Sequence, residues 1–132
     1  MKIVLNGTFD IVHVGHLRML TYASTLGNHV LVCIDSDSRV KSIKGPCRPI
    51  NSQQERQELL ESLRAVDQVK IFNTDQELVD ILKEYKADIM VKGSDWKDHG
   101  YIGQEHCKQT EWFGRINGYS TTEKIQHITS GR

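Results

Sequence analysis

Ile3-Val4-Leu5-Asn6-Gly7-Thr8-Phe9-Asp10-Ile11-Val12-His13-Val14-Gly15-His16 is the stretch that decides the fold. Its three leading apolar residues do not alternate with polar ones, which predicts a strand buried on both faces, as parallel strands are. A polar turn follows, and Leu17, Leu20 and Leu26 then mark a helix over about 16–26. Strand, turn and helix in that order bring free amides and the positive end of a helix dipole to the strand's carboxyl end, a place suited to phosphate. Gly7 permits the tight turn, and Gly15 lets a bulky ligand approach the backbone.

Outward from this unit the pattern repeats. Gly27 predicts a helix end in the left-handed conformation. His29 to Ile34, rich in β-branched residues, is a second strand, and a polar, basic loop runs from it to Asn51. Ser52 and Glu55 make a capping box for a helix ending near Arg64. Gln68–Phe72 is a third strand, and a helix over 75–85 buries Leu78, Val79, Ile81 and Leu82. Ile89-Met90-Val91 is a fourth strand and Glu111 to Ile116 a weaker fifth. Ser120 and Glu123 form a second capping box, opening a helix through Ile128. Alternating strands and helices predict a three-layer α/β fold around a five-stranded parallel sheet, with right-handed crossovers. Ligands then belong at the carboxyl ends of the strands.

Bulk properties narrow the class. The 132 residues suit a single domain spanning 1–132, with little left over for a second. Seventeen basic residues balance seventeen acidic ones, against a general nucleic-acid binder. Cys33, Cys47 and Cys107 are odd in number and loosely spaced, so no disulfide framework is expected, and Cys33 reads as a small buried hydrophobe. No run is long enough for a membrane span and the N-terminal apolar stretch is too short for a signal peptide, which sets a cytoplasmic default.

Gly7-Thr8-Phe9-Asp10 followed by His13-x-Gly15-His16 resembles the signature of the cytidylyltransferase-like nucleotidyltransferases. The likeness implies a Rossmann-like fold, an NTP with its Mg²⁺, a phosphorylated small-molecule acceptor and a homodimer, with neither nucleic acid nor membrane as partner. It implies that His13 and His16 grip the α-phosphate, that Thr8 binds phosphate beside them, and that Gly7, Phe9 and Gly15 frame the nucleotide. The same two imidazoles also read as half of a zinc site, with His99, His106 and Cys107 as the other candidates, although that spacing fits no zinc pattern. Two histidines merely packed in a turn are the plain alternative.

Arg115-Ile116-Asn117-Gly118-Tyr119-Ser120-Thr121-Thr122 is similar to an element of glycerol-3-phosphate cytidylyltransferases. Ser120 and Thr121 at a helix N-terminus suit phosphate, and Arg115 adds a fixed charge. Between Arg39 and Arg56 stand Arg39, Lys41, Lys44, Arg48 and Arg56 against one acid, Glu55, an asymmetry that points to a polyanionic ligand or to a solvated basic loop. Lys44-Gly45-x-x-Arg48-Pro49-x-Asn51 with Glu55-Arg56 resembles the heptose-phosphate adenylyltransferase domain of ADP-heptose synthases. That resemblance implies Lys44 on the triphosphate and Arg56 on the acceptor phosphate, with Asp10 nearby. Gly93-Ser94-Asp95-Trp96 resembles a base- and ribose-binding element, with Gly93 and Asp95 as its contacts. Arg64, ahead of Val66-Asp67, matches the cytidylyltransferase branch, where it meets the acceptor.

The expected reaction is in-line attack of an acceptor phosphate oxygen on the NTP α-phosphorus, with loss of pyrophosphate and no covalent intermediate on the protein. Sugar 1-phosphate of the heptose type is the leading acceptor, and glycerol 3-phosphate with CTP is the alternative. FMN adenylylation, a binding module without turnover and a flavodoxin-like electron carrier are weaker readings.

Overall fold

The computed structural model describes residues 1–94, 102–114 and 120–130. Five strands, β1 (Lys2–Gly7), β2 (His29–Asp35), β3 (Gln68–Phe72), β4 (Ile89–Gly93) and β5 (Gln109–Phe113), form one sheet in the order β3-β2-β1-β4-β5. Every neighbouring pair is parallel. The helices are α1 (Val14–Leu26), α2 (Asp37–Lys44), α3 (Gln53–Glu61), α4 (Asp75–Tyr85) and α5 (Thr121–Ser130), with a 3-10 turn at Gln104–His106.

The strands send alternate residues to opposite faces. Ile3, Leu5, Val30, Val32 and Ile34 pack with Leu20 of α1 and Leu60 of α3. Val4, Leu31, Cys33 and Met90 pack with Leu78 and Leu82 of α4. These are the three layers that the unbroken apolar runs require, and Cys33 is fully buried. Among the described residues no helix is long and apolar enough to cross a membrane.

Three local expectations are corrected. The segment read as a loop from 35 to 51 contains α2. Ser36 caps it by accepting from the Arg39 amide at 3.2 Å, and Val40 is its one buried residue, so no apolar stripe announced it. Gly27 is extended rather than left-handed, at φ −160°. Its lack of a side chain serves close approach, because a Cβ there would lie 2.4 Å from the Met1 carbonyl oxygen. α3 ends at Glu61, short of Arg64. Elsewhere β3 and α4 have the expected bounds, and Ser52 and Ser120 cap α3 and α5 by accepting from the amides of Glu55 and Glu123.

The strand order reverses between β1 and β4. Chain running β1 to β3 moves one way across the sheet, and β4 and β5 extend the other way. The crevice this opens lies at the carboxyl ends of β1 and β4, at Asn6, Gly7, Lys92 and Gly93.

Candidate active site

Two adjoining cavities occupy that crevice, a larger one of about 650 Å³ and a smaller one of about 480 Å³. Gly7, Thr8, His16, Lys44, Lys92 and Thr121 line both, and so form the boundary where the two meet. His13, Gly15, Gly93 and Ser120 line the larger cavity only. Asp10, Asp35, Arg39 and Arg48 line the smaller only.

The histidines are held by the start of α1. His13 is its N-cap, and its Nδ1 accepts from the Gly15 amide at 3.1 Å. His16 Nδ1 in turn accepts from the His13 amide at 3.2 Å. The two rings therefore do for α1 what a serine and a glutamate do in an ordinary capping box. The chemistry follows directly: with Nδ1 accepting, a neutral imidazole carries its proton on Nε2 as a donor. The rings stack with centroids 3.9 Å apart, and His16 also leans on Phe9 at 5.1 Å. Burial, then the neighbouring His13 and Lys44, lower the His16 pKa to about 4. At neutral pH His16 is an uncharged donor of fixed tautomer.

The loop joining β1 to α1 is strained and held from outside. Phe9 and Ile11 both have left-handed backbones, at φ 52° and 46°, conformations costing roughly 1–3 kcal/mol each for residues with a Cβ. Arg56 Nη1 donates to the Thr8 carbonyl at 2.9 Å, and the Thr121 hydroxyl donates to the Asp10 carbonyl. The Asp10 carboxylate accepts from the amides of Ile50 and Asn51 at 2.7 and 2.9 Å, tying this loop to the one after α2.

These bonds decide which side chains have donors left for a ligand. The single hydroxyl proton of Thr8 goes to Asp35 at 3.0 Å, and that of Thr121 goes to the Asp10 carbonyl. Ser120 differs, because its hydroxyl oxygen accepts from the Glu123 amide, a bond that does not use its proton. The start of α5 thus offers the Ser120 hydroxyl and the first-turn amides to the larger cavity.

Arg56 does not reach either cavity. It is 1% exposed and donates to the carbonyls of Asn51, Thr8 and Asp35 and to the Asp37 carboxylate, all within 2.8–3.1 Å. The expected acceptor ligand is instead a clamp between the ends of β1, β2 and α3. Arg64 is exposed on the connection from α3 to β3, at the amino end of the sheet, and lines neither cavity. Asp95, Arg115 and His99 lie outside the described residues.

Sequence reasoning gave no role to Lys92 or Asp35, and named Arg39 and Arg48 only as members of a basic stretch. Lys92 is 8% exposed at the end of the apolar run Ile89-Met90-Val91, its Nζ 3.4 Å from the Asn6 Oδ1. Burial lowers its pKa, while Asp35 works in the opposite direction. A lysine ending a buried parallel strand was the signal available. Arg39 bridges Asp35 at 2.8 Å and Asp75 at 2.7 Å and lies over the Phe72 ring. Arg48 sits 3.8 Å from Asp10, and its Nε and Nη2 are buried with no hydrogen-bond partner. Lys44 is likewise shifted down, first by desolvation and then by Arg48. The boundary thus gathers cationic and N–H donors, and among the described residues Asp10 and Asp35 beside it already accept hydrogen bonds from the protein. Among the described residues no three His, Cys, Asp or Glu side chains are grouped to hold a metal ion.

Comparison with known proteins gives the chain a family and a fold. A family model described as cytidylyltransferase-like matches residues 4–126. The bifunctional protein HldE of Nitratiruptor is 42% identical over 125 residues, 95% of this chain. That of Helicobacter pylori is 42% identical over 128 residues, 96% of this chain. The chain spans 27% of the length of each. The crystal structure of the lipopolysaccharide core biosynthesis protein from Thermoplasma volcanium has the same fold, with a TM-score of 0.73 at 22% identity over 89% of this chain and 98% of that one. With the parallel sheet, the crevice at its reversal and the sequence likeness coinciding over the same residues, this chain belongs to the cytidylyltransferase-like family and is a nucleotidyltransferase.

Proposed function

We propose that the chain transfers a nucleoside monophosphate from an NTP to a sugar 1-phosphate of the heptose type, releasing pyrophosphate. The observation that carries this reading is the pair of cavities meeting at His16, Lys44 and Lys92. In-line displacement needs two phosphorylated substrates on either side of one phosphorus, and a boundary rich in donors between two cavities supplies that arrangement.

On this reading the NTP occupies the larger cavity. Its base rests toward Met19, Val91 and Phe113, and its triphosphate runs to Ser120 and the first-turn amides of α5. The Nε2–H groups of His13 and His16 and the ammonium of Lys44 meet the α-phosphate oxygens, where charge grows in the transition state. An oxygen of the acceptor phosphate attacks the α-phosphorus from the smaller cavity. The new P–O bond forms as the bond from the α-phosphorus to the α,β-bridging oxygen breaks, and that oxygen leaves on pyrophosphate. Mg²⁺ enters with the triphosphate as part of the substrate. Asp35, Arg39 and Asp10 line the acceptor cavity with polar groups suited to sugar hydroxyls.

The likeness to HldE proteins and the Lys44–Asn51 element support the heptose-type acceptor. The placement of Arg64 at the amino end of the sheet, away from both cavities, weakens the glycerol 3-phosphate alternative, which counted that residue in its favour. The test is a matrix of the four NTPs against heptose 1-phosphate, other sugar 1-phosphates, glycerol 3-phosphate and FMN, read as pyrophosphate. ATP with heptose 1-phosphate is expected to lead. CTP with glycerol 3-phosphate leading overturns the acceptor assignment, and NTP binding with no pyrophosphate from any pair would make the chain a binding module. Sedimentation equilibrium checks the homodimer that the family resemblance implies.

A further inference from the structure

We propose that Arg48, with Lys44 beside it, forms the subsite that holds the phosphomonoester of the acceptor in the smaller cavity. This assignment rests on the sugar-phosphate reading above and moves the acceptor's anion away from Arg56 and Arg64.

Among the described residues three guanidiniums stand around the carboxyl ends of β1 and β2, and Arg48 is the one whose buried donors find no partner. Arg39 donates its Nε to Asp35 and its Nη2 to Asp75. Arg56 is satisfied by three carbonyls and Asp37. Arg48 has a single acid near it, Asp10, at 3.8 Å, too long for a hydrogen bond. Asp10 cannot swing to close that gap, because both its oxygens are held by the amides of Ile50 and Asn51. The Nε and Nη2 of Arg48 are consequently buried and unsatisfied. A folded chain tolerates such donors where a ligand supplies the acceptors.

The missing acceptors have a definite chemistry. A guanidinium presents parallel N–H groups that match two oxygens of one phosphate, and Lys44 adds a point charge. The proximity of the two cations is felt in the lowered pKa of Lys44, to which Arg48 contributes after desolvation. A dianion placed between them neutralises both. Arg48 lines the smaller cavity alone while Lys44 lines both, so a phosphate held there stands beside the boundary that grips the α-phosphate. The attacking oxygen is thereby delivered from the side opposite the triphosphate.

Inorganic phosphate is the probe, titrated calorimetrically into protein whose larger cavity is saturated with the α,β-methylene analogue of the preferred NTP and Mg²⁺. Arg48→Gln is expected to weaken phosphate binding about tenfold or more, Arg48→Lys to recover part of it, and both to leave the affinity for the analogue within about threefold. Unchanged phosphate affinity in Arg48→Gln, or equal weakening of phosphate and analogue, overturns the subsite. If Arg48→Gln does not fold, Arg48→Lys decides, since it keeps the charge and loses the fork: full phosphate affinity in that variant overturns the assignment. Phosphate binding that depends on Arg48, with no pyrophosphate from any sugar 1-phosphate, leaves the subsite standing and removes the sugar-phosphate reading. Turnover with a sugar 1-phosphate whose KM ignores Arg48→Gln does the reverse.

Discussion

The two cavities that meet at His16 are made of different materials. The larger is built from helix ends: imidazoles that cap α1, and the hydroxyl and amides that open α5. Its imidazoles and the Ser120 hydroxyl are fixed by bonds only two or three residues long in sequence. The smaller is built from side-chain ions carried by α2 and the loop after it, and its geometry depends on distant partners, as in Asp10, which is bonded to Asn51, 41 residues on, and to Thr121. A cavity of helix ends keeps its shape when a side chain is lost, whereas a cavity of ions depends on each partner that holds the loop.

The sharpest way to break this contrast is at Arg56. Arg56→Ala removes four hydrogen bonds, takes a donor from each of three backbone carbonyls and unties the loop after β1. A loss of about 3–5 kcal/mol in urea denaturation is expected, with both cavities affected together. A variant of normal stability that has lost only acceptor affinity would return Arg56 to the role of acceptor ligand.

His16→Ala comes next. It removes a donor to the developing charge, and a loss of about 10²–10³-fold in kcat is expected at saturating substrates. The change also deprives the His13 amide of its acceptor, so nucleotide affinity is measured alongside, and a kcat within about threefold of normal refutes the role.

The same residue gives a smaller effect on stability. His16 titrates near 4 in the folded chain, below the ordinary 6.5, so the unfolded chain takes up its proton first. Stability from this group is full above about pH 6.5, falls as the pH drops toward 4, and changes no further below that. The loss is on the order of 2 kcal/mol, read by urea denaturation at several pH values. His16→Asn, which keeps an acceptor for the His13 amide and has no such titration, should flatten that part of the curve. An unchanged slope would place the titrating group elsewhere.

How much of this was legible in the sequence follows the same division. The strand-turn-helix unit at Ile3–His16 and the capping pattern at Ser120–Glu123 are local, and both stand where expected, with His13, His16, Ser120 and Thr121 around one cavity. β1, β2 and β4 were legible because buried parallel strands are apolar without interruption, whereas β5, polar over Gln109–Glu111, starts two residues before the expected Glu111. The basic stretch from Arg39 to Arg56 was seen, but not how its charges are partnered. Its charges are partly cancelled by Asp35, Asp37 and Asp75, all three outside the stretch, and Asp37 opens a helix that a single buried valine could not announce. Composition shows that five cations share a segment. Only the fold shows that Arg39 and Arg56 are paired with protein carboxylates while two nitrogens of Arg48 are buried without a partner.

The smallest expected effect concerns the boundary itself. Thr8 belongs to the signature that resembles the family's phosphate-binding element, yet its hydroxyl donates to Asp35, and that carboxylate also receives Arg39. A hydroxyl has one proton, so while this bond holds, Thr8 presents only lone pairs to any phosphate, which repel its oxygens. Its role is then to position Asp35 and Arg39 on the wall of the smaller cavity. Thr8→Val keeps the shape and removes the bond, and a rise of about twofold to fivefold in acceptor KM with kcat and NTP affinity nearly unchanged is expected. A loss as large as that of His16→Ala, or one confined to the NTP, would mean that the proton turns away from Asp35 when substrate binds, and the boundary would then belong to the nucleotide side.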